Sequence, residues 1–553
     1  MNLANLGLTG LLAAKQRLQV TGHNLNNVDT EGYNRQSVLT QTSRPSATSA
    51  GFVGRGVEVV TVQRAYDGFL HKQLSNAQSQ GAALIAYGNE INKLDSLFSD
   101  PSTGISPAML RFFEGMQAVA SAPADAASRQ ELLGRAASLV TQMNDTSAYL
   151  RQVSENINTQ IGTAVSQVNS YLERIQSVNN QIMVAQGSNP GHAPNDLLDL
   201  RDQLVTELGQ LVDIQAVEQN GRVSISTSRG QLLLGADTVY PLHAMRSAAD
   251  PSKVVLGYTS SFDAQGQPIK AEFKDTAVTG GSLGGLLKFR HETLEPTSNN
   301  LGRMALGLAS AFNELHQAGE DLHGKAGEKF FGFNDALKST QVKSNAHNSA
   351  GSGTPGFTIS DATRLSNRDY ELSFNDGVYR LRTLPDGTLN PLTDELMKEL
   401  GFQIDVSGLN PTANDSWLIQ PTRNAAENLQ LAITDPDRIA AAGVGTGTAN
   451  GDNALKMAEL QNSKVLAGGT LSLNEGFSQI VNQVAVNTQQ NATAAKAQAK
   501  LIQQNYAAQQ AVSGVNEDEE YLKLDRYQEQ YRAAARLIDI SSQLFDTLLG
   551  LRT

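Results

Sequence analysis

The apolar positions of the first 75 residues predict a helix followed by an extended excursion. Leucines recur every seven residues near the start, and further apolar residues beside them widen the stripe expected of an amphipathic helix. Residues 24–36 are rich in Asn, Asp, Thr and Gly and should end this helix. Residues 41–60 carry Ser, Thr and Gly around a β-like stretch at 57–62, which favours extended chain. The heptad row consists of Leu11, Leu18 and Leu25.

Helical periodicity then returns from residue 65 to residue 211. Its longest apolar seam has spacings of mostly three and four, which is typical of coiled-coil packing. Gln, Asn, Ser and Ala dominate the polar positions of this region. The seam consists of Ile157, Ile161, Val165, Val168, Leu172, Ile175, Val178 and Ile182.

The period changes from helical to two at residue 212. Asn220-Gly221 between alternating residues predicts a β-hairpin, and β character continues to about residue 278. Residues 282–318 again have helical spacing. A second β-rich block runs from about 330 to 420, with an Asp376-Gly377 turn and the single tryptophan in a strand.

The last hundred residues predict long helices. Asn516 is expected to cap the final helix, with Glu519 reaching back to it. At 1.5 Å per residue this helix would span roughly 50 Å. Its apolar rows include Tyr527, Tyr531, Leu537, Ile538, Leu544, Phe545, Leu548 and Leu551.

These patterns together predict a multidomain α+β fold. Coaxial terminal helices and a long-helix bundle would carry inserted antiparallel β domains. The broad apolar stripes of the terminal helices favour packing against each other and against neighbouring copies, and the alternative is that each packs back on its own domain. We expect each terminal helix to lack a clear intramolecular groove and to be largely disordered until assembly. The predicted units are terminal assembly helices with the excursion (1–75 and 515–553), a helical rod domain (76–215, 281–330 and 440–514), a small β insertion (216–280) and an outer β-rich domain (331–439).

Composition excludes several classes of function. The net charge of −12 leaves no broad basic footprint for nucleic acid. The chain has no cysteine, which excludes disulfides, thiolate nucleophiles and cysteine-based metal sites. No run of 18 apolar residues predicts membrane insertion, and the first 20 residues do not have the pattern of a secretory signal. No cofactor or metal site is expected.

One motif could suggest a hydrolase. Gly280 to Gly284 fits G-x-S-x-G at a strand-to-helix junction, with Ser282 as the nucleophile. His291, His316 and His323 follow, but no spacing singles one out as the base. The alternative is a glycine turn with Ser282 as the helix N-cap.

Two further glycine motifs fail on their context. Residues 319–325 resemble a phosphate-binding loop, but Ala326 stands where the magnesium-binding hydroxyl should be. Gly351, Gly353 and Gly356 match G-x-G-x-x-G, but a strand-like segment follows where a dinucleotide site needs a helix. We therefore predict no enzymatic activity.

One cluster directly after the first helix is specific. Its order is N-x-x-N-x-x-T-x-G-Y-x-R-Q, and it resembles the N-terminal signature of bacterial flagellar rod, hook and hook-associated proteins. The Arg-Gln ending, the C-terminal residues 513–520 and 543–549, and the segment 281–287 are similar to the hook–filament junction family, FlgK. The cluster consists of Asn24, Asn27, Thr30, Gly32, Tyr33, Arg35 and Gln36.

Residue chemistry suggests a role for three members of the cluster. Gly32 can supply the positive φ of a tight turn. Tyr33 brings an apolar body with a polar tip, which suits a subunit boundary. Arg35 can pair bidentately with a neighbouring carboxylate. Asn34 stands where this family commonly has a serine.

The resemblance implies a flagellin-like axial architecture and a structural role. Members of this family leave the cell through the flagellar type III export channel without a cleaved signal and join the extracellular flagellum. The implied partners are copies of the chain in a ring, the hook protein, the second hook–filament junction protein, and an export chaperone on the C-terminal helix.

Three hypotheses follow from the sequence. The first is a structural adaptor that joins hook and filament by packing its terminal helices into a tubular core. The second is another axial protein of the hook or distal rod, against which the Arg35-Gln36 pair and the C-terminal ending argue. The third is a secreted serine hydrolase that uses Ser282.

Overall fold

Helices begin and end the chain, and antiparallel sheets interrupt its middle, as the periodicities predict. The structure is a computed structural model that describes residues 3–48, 51–99, 104–263, 265–385 and 387–551. The outer limits of the predicted terminal unit, residues 1 and 553, lie outside these ranges.

The α-helices of the described residues include one element of 63 residues. Three 3₁₀ turns (Asp275–Ala277, Ala362–Arg364 and Pro436–Arg438) and one π turn (Arg290–Leu294) supplement them. The helices are α1 Leu3–Asn26, α2 Gly68–Phe98, α3 Ile105–Ser121, α4 Ala126–Ser188, α5 Asn195–Leu211, α6 Gly281–Phe289, α7 Glu295–Gln317, α8 Ala336–Gln341, α9 Asp394–Leu400, α10 Asp452–Glu459, α11 Leu473–Ser513 and α12 Glu517–Gly550.

The strands form small sheets, and every pairing between described strands is antiparallel. The strands are β1 Gln36–Thr42, β2 Ser46–Thr48, β3 Gly51–Val53, β4 Val57–Arg64, β5 Ile214–Gln219, β6 Arg222–Thr227, β7 Leu232–Leu234, β8 Leu242–Arg246, β9 Val254–Phe262, β10 Pro268–Glu272, β11 Gly319–Glu320, β12 Phe331–Phe333, β13 Val342–Ser344, β14 Gly356–Ile359, β15 Tyr370–Asn375, β16 Val378–Thr383, β17 Leu389–Pro391, β18 Phe402–Asp405, β19 Ser416–Ile419, β20 Leu429–Leu431, β21 Ala442–Gly443, β22 Lys464–Leu466 and β23 Leu471–Ser472.

The predicted seam of α4 is the spine of the helical body. All eight of its predicted residues are buried. The helix packs against α3 and α5 and against strands β6, β8 and β9. The seam therefore contacts strands as well as helices, because the small β insertion folds back onto α4.

The π turn between α6 and α7 has a local cause. Pro296 is the second residue of α7 and has no N–H to donate, so the regular helical pattern cannot run through it. The N–H of Glu295 bonds instead to the carbonyl of Arg290, five residues back. The predicted helix over 282–318 is thus a nearly continuous element with one widened turn.

Both predicted hairpin turns are confirmed. Asn220 and Gly221 have φ of 54° and 77° between β5 and β6. Asp376 and Gly377 have φ of 55° and 76° between β15 and β16. Two successive positive φ values match the twist that a two-residue hairpin requires.

The outer β-rich block has an apolar core of its own. A five-stranded sheet in the order β13-β19-β15-β16-β17 forms its centre. Trp417, predicted to lie in a strand, belongs to β19; its ring is buried, and its Nε1–H donates to the Gly353 carbonyl at 2.9 Å. Strand β13 forms one edge of this sheet and pairs with β19 through its residues Val342, Lys343 and Ser344.

The polar helix α11 packs along α2. Its start contributes Phe477, Ile480 and Val484 to the main core. Farther along, Asn491 and Gln498 donate side-chain N–H groups to the α2 carbonyls of Leu84 and Ala77 at 3.0 and 2.8 Å. The Gln- and Asn-rich composition therefore supports a solvated bundle helix.

The terminal helices α1 and α12 pack against each other within one chain. The reason we gave for expecting disorder was wrong, because each helix supplies the groove that the other occupies. This pair, α1 with α12, is called the terminal helix pair below.

Candidate assembly interface

The terminal helix pair is antiparallel. The N–H of Ala4 donates to Oγ of Ser541 at 3.1 Å. Farther along, Arg17 donates to the side-chain oxygen of Gln530 at 3.1 Å and lies over the ring of Tyr527. The two helices therefore run in opposite directions over most of the length of α1.

Small residues bring the two helices close. A β-carbon on Gly7 would lie 2.8 Å from Cγ1 of Ile538 and 3.0 Å from the carbonyl oxygen of Ala534. A β-carbon on Gly10 would lie 3.4 Å from that of Ala534. Small residues at a helix crossing allow the backbones to approach more closely than large side chains would.

The predicted leucine row is not the buried face of α1. Leu11, Leu18 and Leu25 are half-buried, whereas Ala13 and Ala14 are buried. The prediction followed large apolar residues, but the close helix crossing selects small ones. The remaining buried residues of α1 are Gly7, Val20, Thr21 and Asn24.

The two helices leave large apolar side chains exposed. On α1 these are Leu6, Leu8 and Leu12. Helix α12 continues nine residues beyond Ser541, and its side chains there are exposed. Such a concentration of exposed apolar residues marks an interaction surface. We call the following exposed residues, of which the last is the C-cap of the helix, the apolar set of α12: Leu544, Phe545, Leu548 and Leu551.

The other predicted C-terminal residues lie nearer the contact with α1. Leu537 and Ile538 are half-buried, as is Tyr527, and Tyr531 is exposed. Ala534 and Ser541 belong to the same helical row but were not among the predicted interface residues, and they are the residues of this region that contact α1 and are buried. Their spacing of seven is visible in the sequence, but neither side chain is strongly apolar.

Asn24 is the hub that ties the signature cluster to both terminal helices. Its Oδ1 accepts from the Tyr33 hydroxyl at 2.7 Å and from the Gln36 N–H at 2.9 Å. Its Nδ2 donates to the Gln36 carbonyl at 2.9 Å and to Oε2 of Glu520 at 3.0 Å. The amide thus uses two acceptor and two donor positions, which is its full capacity.

A tight turn follows α1, as the cluster predicts. The N–H of Thr30 donates to the Asn27 carbonyl at 3.0 Å, and that of Tyr33 donates to the Thr30 carbonyl at 3.2 Å. Gly32 has a φ of +80°, which confirms the expected positive value. A β-carbon there would also lie 2.8 Å from Oε1 of Gln203.

Tyr33 and Arg35 make contacts within the chain. Burial, reinforced by nearby Asp196 and Asp199, raises the pKa of the half-buried Tyr33 hydroxyl. The N–H of Arg35 donates to the Ser513 carbonyl at 2.8 Å. Its guanidinium faces Glu519 through one contact of 3.6 Å, so the expected bidentate pair is wrong.

Only one of the two predicted capping contacts forms at the start of α12. Asn516 caps the helix, and its side chain accepts from the N–H of Glu519 at 3.2 Å. The Glu519 side chain faces Arg35 and Lys523. The full capping box lies instead at the start of α11, between Ser472 and Glu475.

A row of carboxylates on α5 joins the helical body to the signature cluster. Asp199 accepts from the backbone N–H and the side-chain N–H of Asn34, and Arg64 bridges it to Asp202 at 2.7 and 2.8 Å. Asp196 accepts from the Gln36 amide at 2.7 Å. Burial raises the pKa of Asp199 against the opposing effect of Arg64. The sequence prediction missed all of these acidic residues.

A polar cavity lies beside this row. It has a volume of about 520 Å³ between the turn at 28–34 and helices α2, α5 and α11. His71, Asp202 and Tyr506 are among its lining residues. Burial lowers the pKa of His71. The space between the terminal helix pair and the helical body is therefore polar.

The candidate nucleophile is the second residue of a helix. Gly280, not Ser282, is the N-cap of α6, so the N-cap prediction was wrong. The chain enters the helix through Gly281, whose φ of +69° lets it turn against the backbone of Leu211. Gly285 lies against the Ala83 carbonyl, so the glycines of this segment serve close packing.

The histidines that follow have different environments. His316 is buried; its Nδ1 bonds to the Glu328 carbonyl at 2.6 Å and its Nε2 accepts from the Ala440 N–H at 3.0 Å. His291 is half-buried in the π turn, and His323 is exposed. Both ring nitrogens of His316 thus have structural partners.

The motif of Gly351, Gly353 and Gly356 lies in a loop, as expected, and residues 319–325 contain the short strand β11 and a turn. Residues 319–325 follow helix α7, and Oδ1 of Asp321 accepts from the N–H groups of His323 and Lys325 at 2.8 and 2.9 Å. Gly356 begins strand β14. Within the described ranges, no group of three or more His, Cys, Asp or Glu is placed to hold a metal ion. No helix in the described part of the chain is long and apolar enough to cross a membrane.

Known proteins resemble the chain over its whole length. Residues 91–331 match the family "Flagellar hook-associated protein FlgK helical domain". Flagellar hook-associated protein 1 of Salmonella typhimurium is 35% identical over 565 residues, which covers 100% of both chains. The same protein of Escherichia coli is 34% identical over 556 residues, again with 100% of both chains covered.

A solved structure agrees with this relationship. The flagellar hook junction protein FlgK from Burkholderia pseudomallei has a TM-score of 0.73 and 27% identity, and covers 80% of this chain and 100% of its own. Sequence identity and fold point to the same structural proteins of the flagellum. The chain therefore belongs to the family of flagellar hook-associated protein 1, FlgK, the proteins of the flagellar hook–filament junction.

Proposed function

We propose that the chain joins hook and filament by packing copies of its terminal helix pair into a tubular core. The observation that carries this proposal is the exposure of the apolar set of α12, where Leu544, Phe545 and Leu548 are 54%, 61% and 66% exposed. A surface of this kind is stabilised when another apolar surface covers it. Contacts between copies around an axis would then extend the assembly.

The predicted assembly residues divide into two roles under this proposal. Half-buried and exposed residues contact neighbouring copies, among them the apolar set of α12 and the leucine row of α1. The buried residues Asn24 and Gln36 act within the chain and give the terminal helix pair its shape. Each predicted domain also has a place in this proposal. The terminal unit assembles, the rod domain surrounds it, and the β insertion and the outer domain project from the rod domain.

The partners follow from the position at a junction. Copies of the chain form a ring or short helical segment, the hook protein contacts one side, and the second junction protein contacts the other. An export chaperone covers α12 before secretion, because its exposed apolar residues would otherwise associate too early. The chain travels through type III export without a cleaved signal and acts outside the cell.

The function requires no turnover. We assign Ser282 a structural position in the packing of α6, and we assign no cofactor. A screen for esterase activity with wild-type protein and Ser282→Ala checks this assignment, and a turnover that the substitution abolishes would overturn it.

The experiment is deletion of the chain, followed by negative-stain microscopy of the cells and a blot for flagellin in the medium. A junction protein predicts hooks without filaments and flagellin lost to the medium. Absent hooks would favour the alternative hook or distal-rod role. Normal filaments would contradict both axial roles.

A further inference from the structure

The terminal unit, defined as α1, β1–β4 and α12, is joined to the helical body without a shared apolar core. In the described residues, neither cluster of buried apolar side chains contains a member from 3–86 or from 517–551. Apolar packing is the usual means of fixing one unit on another. Here polar contacts must supply that function, and the cavity of about 520 Å³ lies among them.

The carboxylate row of α5 supplies these contacts. Asp196, Asp199 and Asp202 follow one another at intervals of three residues and therefore share one helix face. Asp199 is the middle member and is only 5% exposed. The row meets the terminal unit where its two long strands, β1 and β4, begin and end.

Asp199 holds both of those strands at once. Its Oδ2 accepts from the Asn34 N–H at 3.0 Å, and its Oδ1 accepts from the Asn34 side-chain amide at 2.7 Å. The same Oδ1 accepts from Nη1 of Arg64, the last residue of β4, at 2.7 Å. Asn34 stands two residues before Gln36, which pairs with Arg64 in the ladder.

This arrangement constrains direction as well as distance. One contact would leave the terminal unit free to rotate about it, but one buried carboxylate here makes three bonds, two to Asn34 just before β1 and one to Arg64 at the end of β4, and these oppose that rotation. Charge-assisted bonds are also about twice as strong as neutral ones. Since Asn24 links Gln36 to Glu520 of α12, the orientation set at Asp199 passes to both terminal helices.

We propose that Asp199 is a positioning residue that sets the angle between the terminal helix pair and the helical body, acting through Asn34 and Arg64. The proposal rests on the proposed function in one respect: the angle between the two parts matters because the terminal helix pair has to pack into the tubular core. Asp199 itself touches no other copy in this account.

The chain has no cysteine, so two introduced cysteines can carry the only spin labels. We would place them at Gln181 in α4 and Asp539 in α12, which are both exposed. Double electron–electron resonance on the full chain then gives the distribution of distances between the spin label on α4 of the helical body and the one on α12 of the terminal helix pair. The test variant is Asp199→Asn, which keeps the shape but loses the charge.

Two further variants make the result specific. Asp250→Asn is the matched control, because Asp250 is similarly buried and its Oδ1 lies 2.6 Å from Nζ of Lys343. Neither residue of this pair belongs to the terminal unit. The exchange Asn34→Asp with Asp199→Asn restores a carboxylate at this joint. The side-chain bond between residues 34 and 199 then forms with donor and acceptor reversed, and the backbone N–H of residue 34 still donates to the side-chain oxygen of residue 199. Thermal unfolding of each variant verifies that the body is folded.

We expect Asp199→Asn to broaden and shift the distance distribution, Asp250→Asn to leave it unchanged, and the exchange to narrow it again. A distribution unaffected by Asp199→Asn would overturn the proposal. So would a wild-type distribution as broad as that of the variant. Because the readout is a distance in the unassembled chain, its failure is distinct from a failure of assembly, which filament retention reports.

Discussion

Gly7 of α1 lies so close to Ile538 of α12 that a β-carbon on the glycine would be 2.8 Å from Cγ1 of the isoleucine. The terminal helix pair thus depends on the absence of a side chain at this position. Leu6, Leu8 and Leu12 of α1 and the apolar set of α12 remain exposed beside this crossing.

We expect Gly7→Val to separate the terminal helices, because the added carbons overlap Ile538 and Ala534. Overpacking of this kind costs about 1–3 kcal/mol. Hydrogen exchange should become faster in α1 and α12 while the helical body is unchanged. The control is Gly22→Ala in the same helix, where nothing lies within 4 Å and where alanine should stabilise the helix by about 0.5–1 kcal/mol. Wild-type exchange rates in Gly7→Val would contradict the close crossing.

Replacement of Asn24 by alanine should loosen the signature cluster. The buried Glu520 would lose the hydrogen bond that Asn24 donates to it. The Tyr33 hydroxyl and the Gln36 N–H would lose the oxygen to which both now donate. A buried polar group left without a partner costs about 1–3 kcal/mol. The rate of amide hydrogen exchange should rise at residues 24–36 and at the start of α12.

The neighbouring Asn26→Ala is the control for this change, because Asn26 is exposed. It should alter exchange little. Equal effects from the two variants would mean that Asn24 is not the hub of the cluster.

His316 should make stability depend on pH. Burial lowers its pKa from the ordinary 6.5 to about 4. Protonation would in addition disrupt the bond that Nε2 accepts from the Ala440 N–H. A folded-state pKa below the unfolded one stabilises the protein above pH 6.5, and this stabilisation is lost as pH falls towards 4. The difference corresponds to about 3 kcal/mol at most.

Urea unfolding at pH 7.5 and pH 5 measures this dependence. We expect His316→Gln to reduce it, because glutamine can donate and accept at similar positions without becoming charged. His323→Gln, at an exposed histidine, should leave it unchanged. An equal pH dependence in wild type and His316→Gln would show that His316 is not its source.

In the segment 281–287, replacement of the serine should hardly change the stability of the protein, whereas replacement of a glycine should lower it. Gly285→Ala would place a β-carbon against the Ala83 carbonyl oxygen, which belongs to the rigid backbone of α2. We expect a loss of about 2 kcal/mol or more in the unfolding free energy. Ser282→Ala should cost little, and thermal unfolding of both variants provides the comparison. The reverse order of stability would revive a special role for the serine.

Local signals predicted the secondary structure well. Asn220-Gly221 and Asp376-Gly377 predict hairpins because the required backbone conformation depends on the two residues themselves. The seam of α4 was predictable because large apolar residues recur at helical spacing. The predicted N-cap of the last helix at Asn516 was correct for the same local reason, but the predicted contact of the Glu519 side chain was not, since that side chain faces Arg35 instead.

The joint between the terminal unit and the body could not be predicted in this way. Asp199 and Arg64 are 135 residues apart, and neither residue type marks a partner at that distance. The buried face of α1 was missed because glycine and alanine carry little apolar signal of their own. Relationships that depend on tertiary approach, such as Gly7 with Ile538, appear only when the fold brings the helices together.

The most direct test of the central claim changes the exposed residues of α12 in cells. Deletion cells receive the chain with Leu544, Phe545 and Leu548 replaced by serine, or a control with Val184→Ser and Val217→Ser. The control residues are 68% and 62% exposed and lie outside the terminal helix pair. A blot for the chain in the medium verifies that each variant is exported. We predict hooks without filaments for the α12 variant and normal filaments for the control; normal filaments on the exported α12 variant would contradict assembly through the terminal helix pair.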